Sequence, residues 1–133
     1  MKYVLDTNVC IRILKGAPAG MLKKMNAITA DQVAIPSIVR FELFYGAYKS
    51  NKQKETLRLL NEFLKPFISV DFDEKAAMEC GNIRAELDNK GTPIGPYDLM
   101  IAAIALSGGY TLVTHNIKEF SRIENLKIVD WES

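Results

Sequence analysis

The chain has 133 residues, of which 48% are apolar and 25% are charged, a balance that excludes a disordered chain and predicts one domain over residues 1–133. Its 17 basic and 16 acidic side chains nearly cancel, which argues against a strongly basic arm that binds nucleic acid by charge alone. Neither Cys10 nor Cys80 belongs to a Cys-x-x-Cys pair, and no stretch resembles a signal peptide or a membrane span. We therefore expect a soluble cytoplasmic protein without membrane contact, whose two cysteines are buried small apolar side chains.

Short strands alternate with helices along the chain. The first strand is predicted over Tyr3–Leu5, and Asp6-Thr7-Asn8 then begins a helix that runs to about Leu14, because all three residues favour helix N-termini. The later helices are predicted over Ala19–Ile28, Ile38–Tyr48, Glu55–Leu64, Glu74–Asn89, Asp98–Leu106 and Ile117–Ser121, and the later strands over Val33–Ser37, Phe67–Val70, Thr111–Thr114 and Lys127–Val129. This alternation predicts the α/β class: a three-layer α/β/α domain with a central, mainly parallel sheet.

Two carboxylates stand at predicted helix starts. Asp6 directly follows the first strand, where ligand sites of parallel sheets form. Asp98 is the only ionisable residue between Pro96 and Leu106, at the start of a very apolar helix. For both residues helix capping is an alternative interpretation, because a helix N-terminus favours an acidic side chain.

A third carboxylate, Glu42, lies on a predicted helix among apolar and small neighbours. A charge in such surroundings costs several kcal/mol unless it is paired or binds a cation, and an ion pair would need a basic residue from another element. Asp6, Glu42 and Asp98 together would suit one hard divalent cation such as Mg²⁺ or Mn²⁺, which prefers oxygen ligands. Such a cation activates water and stabilises charge at a phosphodiester, so the three acids indicate a metal nuclease.

Other kinds of catalyst find no support in the sequence. His115 is the sole histidine and lacks the partners of a zinc or serine-hydrolase motif, so we interpret it as peripheral. Neither Gly-x-x-x-x-Gly-Lys nor Gly-x-Gly-x-x-Gly is present, so no nucleotide cofactor is indicated.

Four motifs in order resemble a known family: Leu5-Asp6-Thr7-Asn8, Phe41-Glu42-Leu43, Gly95-Pro96-Tyr97-Asp98, and Val113-Thr114-His115-Asn116 with Glu119-Phe120. They look like the PIN-domain toxins of the VapC type, and the resemblance spans the whole chain. It implies a PIN fold and an Mg²⁺- or Mn²⁺-dependent endoribonuclease that cuts tRNA or ribosomal RNA and halts translation. It also implies a VapB-type antitoxin partner and a homodimer.

Carried over by position, the resemblance makes Asp6, Glu42 and Asp98 the catalytic, metal-binding acids. Thr7 and Thr114 would steady these acids through hydroxyl hydrogen bonds.

The family's fourth acidic position is open in this sequence. Position 116 is Asn where some relatives carry Asp, and Glu119 follows one helical turn later. Asn116 would orient a water or a phosphate, and Glu119 would hold the cation through water; helix capping is the alternative for each. Arg84, at the edge of an apolar helix face, would pair with a carboxylate or a phosphate, or else stay solvated.

Two other functions remain open at this stage. A catalytically silent binding module could use the same fold, although the three intact acids argue against it. A phosphoryl-transfer domain with Asp6 as nucleophile would form an aspartyl-phosphate and normally needs a second acid beside Asp6, where Thr7 and Asn8 stand.

Overall fold

Four parallel strands form the central sheet of the structure, a computed structural model that describes residues 2–132. The strands are β1 (Tyr3–Leu5), β2 (Val33–Ala34), β3 (Thr111–Val113) and β4 (Ile128–Val129), and they lie in the order β2-β1-β3-β4. Each neighbouring pair is parallel, with Leu5 of β1 opposite Val113 of β3. The carboxyl ends of the strands therefore meet at one edge of the sheet, where ligand sites of such sheets form.

Seven α-helices occur among residues 2–132: α1 (Thr7–Leu14), α2 (Ala19–Asn26), α3 (Ser37–Tyr48), α4 (Gln53–Leu64), α5 (Glu74–Asn89), α6 (Pro96–Gly108) and α7 (Ile117–Phe120). The α/β class and the parallel sheet predicted from the alternation of elements are confirmed. A 3₁₀ turn over Ala30–Gln32, closed by a capping box between Thr29 and Gln32, was not predicted. No helix in this part of the chain is long and apolar enough to cross a membrane.

The strand predicted over Phe67–Val70 is wrong. This segment runs beside β2, but only Ile68 forms a bridge, with Ala34. The Arg40 guanidinium donates to the carbonyl oxygens of Phe67 at 3.2 Å and Ile68 at 3.3 Å. Ile68 keeps its ladder bonds, because its N–H donates to Val33 O at 3.2 Å and its carbonyl oxygen accepts from Ile35 N–H at 2.8 Å. The next ladder bond would need Ile35 O as acceptor, and Arg40 Nε donates to that oxygen at 2.8 Å, so the pairing ends after one bridge.

The buried helix α6 places Asp98 against the sheet. Ile101, Ala102, Ala103 and Ala105 are fully buried in it, and alanines allow a helix to approach its neighbours closely. The helix begins at Pro96, two residues before the predicted start, because proline fits the first helical position. It ends at Gly108 and is capped by Gly109, whose φ of 70° suits glycine. Asp98 consequently lies in the first turn of a rigidly packed helix.

The two cysteines are free thiols with different burial. Cys10 is buried, as predicted, whereas Cys80 is only half-buried. Burial, followed by the nearby Asp6 carboxylate, raises the pKa of the Cys10 thiol. Cys10 therefore stays protonated and acts as a small core side chain.

Candidate active site

Asp6 is buried at the junction between β1 and α1, with 5% of its surface exposed. Its Oδ1 accepts a hydrogen bond from the Val9 backbone N–H at 2.8 Å, so Asp6 does cap α1. The Thr114 side chain also hydrogen-bonds Asp6. Burial is nevertheless the dominant influence and raises the pKa of Asp6, with the carboxylates of Glu42 and Glu132 adding to the rise.

Glu42 is half-buried on α3 and is held by a hydroxyl. Its Oε1 accepts a hydrogen bond from Thr7 Oγ1 at 2.7 Å. Among residues 2–132 it forms no ion pair with a lysine or arginine, so the ion-pair alternative does not describe its surroundings. Because Thr7 directly follows Asp6, this bond brings α3 to the same junction.

Asp98 extends the acidic cluster from the first turn of α6. Burial raises the pKa of Asp98 to about 6, and the carboxylates of Asp6, Glu119 and Glu42 contribute in that order. No basic side chain contributes to the pKa shifts of Asp6 or Asp98. The four acids thus repel one another without a compensating cation from the described residues.

This arrangement fits a divalent cation chemically. All the side chains involved are carboxylates, the donors that Mg²⁺ and Mn²⁺ prefer, and their charges are uncompensated. Asp6, Glu42 and Asp98 do not bring their oxygens within 4.8 Å of one another, a closeness that among the described residues is reached by His115, Asp130 and Glu132. A cation shared by the three acids would therefore be held partly through water, as Mg²⁺ commonly is.

Asn116 and Glu119 lie at different places around this cluster. Asn116 occupies the N-cap position of α7, but its side chain makes no capping hydrogen bond, so the capping alternative is wrong for that side chain. Its backbone N–H donates to Thr114 Oγ1 at 3.0 Å. Glu119 is half-buried and helps to raise the pKa of Asp98. Asn116 thus shares a cavity with Asp6, and Glu119 acts on Asp98.

A second group of charged residues adjoins Asp6. His115 Nδ1 lies 3.0 Å from Asp130 Oδ2 and 3.7 Å from Glu132 Oε2, and Arg12 Nε lies 3.3 Å from Glu132 Oε1. His115, interpreted as peripheral, in fact lines a cavity together with Asp6. Sequence reasoning missed Arg12 and Glu132 as neighbours of Asp6.

Arg84 forms no ion pair within residues 2–132. It is exposed on α5 and borders a small cavity with Pro93 and Pro96, close to the segment that leads to Asp98. A carboxylate partner for Arg84 is therefore not present in the described part of the chain.

The stability of the metal-free protein should report the raised pKa of Asp98. A carboxyl whose pKa rises from 3.8 to about 6 on folding stabilises the fold at low pH and loses that contribution as pH rises through this range. In EDTA we therefore expect the melting temperature of wild type to fall relative to Asp98→Asn between pH 4 and pH 6. Mg²⁺ should reverse the fall above pH 6.

Differential scanning calorimetry of both proteins, with and without Mg²⁺, measures this effect. The Asp98→Asn protein serves as the reference because the other titrating groups are common to both. A difference in melting temperature that does not change with pH would contradict the assignment.

Comparisons with known proteins place this site in a family. The family model described as PIN domain matches residues 3–126. The chain is 44% identical to the tRNA(fMet)-specific endonuclease VapC of Salmonella typhimurium over 98% of both chains. It is 40% identical to Ribonuclease VapC2 of Rickettsia felis over 99% of both. The crystal structure of DNA-bound VapBC from Salmonella typhimurium superposes with a TM-score of 0.93, at 44% identity and 98% coverage of both chains.

The match over most of the chain defines the class as a PIN-domain nuclease. The chain belongs to the PIN-domain family and, within it, to the VapC ribonucleases. The resemblance noted in the sequence is thereby confirmed for family, fold and enzyme class.

Proposed function

We propose that this protein is the toxin of a type II toxin–antitoxin pair, an Mg²⁺-dependent endoribonuclease that cuts tRNA in the cytoplasm and so inhibits translation. The observation that carries the proposal is the cluster of Asp6, Glu42, Asp98 and Glu119, whose mutual repulsion no described basic residue relieves. Two relatives, at 44% and 40% identity, carry the name tRNA(fMet)-specific endonuclease, which favours the initiator tRNA as substrate.

The reaction is hydrolysis of an RNA phosphodiester by water. A bound divalent cation supplies positive charge to the phosphate and acidity to the attacking water. Asp6 and Asp98 would hold that cation, and Glu42, fixed by Thr7, would complete its surroundings. The Thr114 hydroxyl keeps Asp6 oriented, and Asn116, beside Asp6, offers an amide to a water or a phosphate oxygen.

Membership of a ribonuclease family leaves the two other functions without support. The silent-module alternative would not need three intact acids, and the phosphoryl-transfer alternative would need an Asp6 free to attack. Asp6 is instead buried and bonded to Val9 and Thr114.

Cleavage of defined tRNAs by the purified chain tests the proposal. Initiator tRNA and one elongator tRNA are incubated with the protein in Mg²⁺ and, separately, in EDTA, and the ends are sequenced. We expect cuts at defined bonds of the initiator tRNA in Mg²⁺ only. Equal cutting in EDTA would overturn the metal dependence, and no cutting of either tRNA would overturn the substrate class.

A groove between α1, α3 and α4 of this chain is the proposed docking site for the antitoxin. The groove has a volume of about 520 Å³, and its lining is mainly apolar: Ile11, Leu14, Leu43, Ala47, Leu59 and Leu60. Glu42 lines the same groove, so a segment lying in it reaches the acidic cluster. Structural neighbours at 44% and 39% identity are VapBC complexes, which supports a VapB-type antitoxin with an apolar segment and a basic residue here.

A homodimer is proposed through an aromatic face of α3. Phe41, Tyr45 and Tyr48 are 47%, 58% and 60% exposed and follow the i, i+4, i+7 spacing of one helix face. The Phe41 ring also meets the Tyr97 ring, with centroids 5.5 Å apart. Exposed aromatic clusters of this kind are enriched at protein interfaces.

Negative charge introduced on this face should separate the subunits. We expect Tyr45→Asp with Tyr48→Asp to convert a dimer into a monomer in size-exclusion light scattering, because two carboxylates would enter an apolar interface. Leu22→Asp, at a 41% exposed position on α2, is the control and should stay dimeric. A double variant that remains dimeric would show that another surface is used.

A further inference from the structure

A polar cavity adjoins the acidic cluster on the side of Asp6. Its volume is about 370 Å³, and its lining combines carboxylates, amides, one imidazole and one guanidinium: Asp6, Asn8, Arg12, His115, Asn116 and Glu132. The cavity is thus within the size range of small-ligand sites and opens beside a proposed catalytic acid. Among the acids around it, Arg12 is the permanently charged cation.

Arg12 lines this cavity and has hydrogen-bond donors that no other side chain in residues 2–132 uses. Its Nε lies 3.3 Å from Glu132 Oε1, but no hydrogen bond joins Arg12 to a side chain among the described residues. The Arg12 side chain is 53% exposed, whereas that of Glu132 is 19% exposed. A guanidinium has five N–H donors. An anion that enters the cavity can therefore bind Arg12 without breaking a hydrogen bond between Arg12 and another described side chain.

The C-terminal residues keep this cation in place. Glu132 faces both Arg12 and His115, and its own backbone N–H donates to Asp130 Oδ1 at 2.9 Å. A phosphate is tetrahedral, but like a carboxylate it can present two oxygens to a guanidinium. The Arg12–Glu132 pair therefore shows that an anionic oxygen can approach the Arg12 guanidinium within this cavity.

We infer that this cavity receives an RNA phosphate next to the cleaved bond and that Arg12 is its contact. The inference rests on the proposed ribonuclease function and adds a substrate-binding residue to it. RNA must approach Asp6, Glu42 and Asp98, which all repel a phosphate backbone, so a fixed cation beside Asp6 offsets part of that repulsion. Asn8 and Asn116 supply neutral donors in the same cavity.

Binding of a fluorescently labelled single-stranded RNA oligonucleotide, followed by anisotropy, tests the contact. All variants carry Asp98→Asn so that binding is measured without cleavage. We expect Arg12→Ala to raise Kd about fivefold to tenfold, as for loss of one charge-assisted contact that is partly exposed. The slope of log Kd against log salt should fall by about 0.7, the contribution of one phosphate contact to single-stranded RNA. Arg12→Lys should keep the slope.

Arg58→Ala is the matched control. Arg58 is also an exposed arginine paired with a glutamate, Glu55, but it lies on α4 and does not line the cavity. Its Kd and salt slope should equal those of the parent. A series in which Arg12→Ala lowers only the melting temperature, with Kd and slope unchanged, would overturn the inference and leave Arg12 as a tie between α1 and the C-terminal residues.

The test of the Arg12 contact can fail independently of the test of the proposed ribonuclease function. Wild-type cleavage of RNA tests the ribonuclease, whereas the anisotropy series tests the contact without cleavage. A protein that cuts RNA but binds it equally well after Arg12→Ala refutes the contact alone. A protein that cuts no RNA but loses affinity and slope after Arg12→Ala refutes the cleavage proposal alone.

Discussion

Asp98→Asn is expected to reduce Mg²⁺-dependent RNA cleavage about a thousandfold, because a cation's charge stabilisation contributes several kcal/mol and about 1.4 kcal/mol corresponds to tenfold in rate. The amide keeps the shape of the side chain but removes an anionic ligand. The fold should not suffer, since burial and three neighbouring carboxylates already raise the pKa of Asp98 to about 6. The neutral variant relieves that repulsion, so its melting temperature in EDTA should equal or exceed that of wild type at pH 7.

Single-turnover cleavage of tRNA, together with calorimetry, measures both effects. Asp71→Asn is the matched control: it makes the same chemical change at an exposed aspartate ahead of α5 and should cut at the wild-type rate. Undiminished cleavage by Asp98→Asn would remove Asp98 from the site. Loss of cleavage together with a large fall in melting temperature would show a structural role in its place.

Thr114→Val is expected to lower the cleavage rate by about tenfold to a hundredfold, the usual cost of losing a group that orients a metal ligand. The Thr114 hydroxyl is fully buried, hydrogen-bonds Asp6 and accepts the Asn116 N–H at 3.0 Å. Valine has nearly the same shape but can do neither. Asp6 loses an orienting donor and Asn116 is left with an unpaired N–H, which also costs about 1–3 kcal/mol of stability.

Two further variants separate the positioning effect from general damage to β3. Thr114→Ser retains the hydroxyl and should restore most of the rate, whereas Thr111→Val makes the same change at the first residue of β3 and should cut normally. The decisive readout is the Mg²⁺ concentration for half-maximal rate, which should rise for Thr114→Val. An unchanged Mg²⁺ dependence would mean that Thr114 contributes only to stability.

Local sequence patterns predicted most of the helices and strands, because these short-range preferences agree with the way the chain packs when folded. The strand Tyr3–Leu5 and the helix that Asp6 caps are both present. An apolar run and a capping residue each determine the structure of only the few residues beside them. The strand predicted over Phe67–Val70 failed because its pairing is cut short by the Arg40 side chain, which donates to the carbonyl oxygen of Ile35. An apolar run cannot show that a side chain outside it will take the carbonyl oxygen to which its next backbone N–H would donate.

The sequence likewise predicted some residues of the candidate site and missed others. Asp6, Glu42 and Asp98 stood out because each carboxylate sits in apolar surroundings or directly after a strand. Arg12 and Glu132 did not, because their contact joins α1 to the far end of the chain and leaves no local pattern. The rise that Glu132 adds to the pKa of Asp6 becomes visible only when the chain is folded.

The most direct test of the central claim is the position of Mn²⁺ in a crystal of the wild-type protein, located by its anomalous scattering. We expect one strong peak among the carboxylates of Asp6, Glu42 and Asp98, bound directly or through water, and no such peak in Asp98→Asn crystals. A peak confined to His115, Asp130 and Glu132, with none at the three acids, would contradict the account.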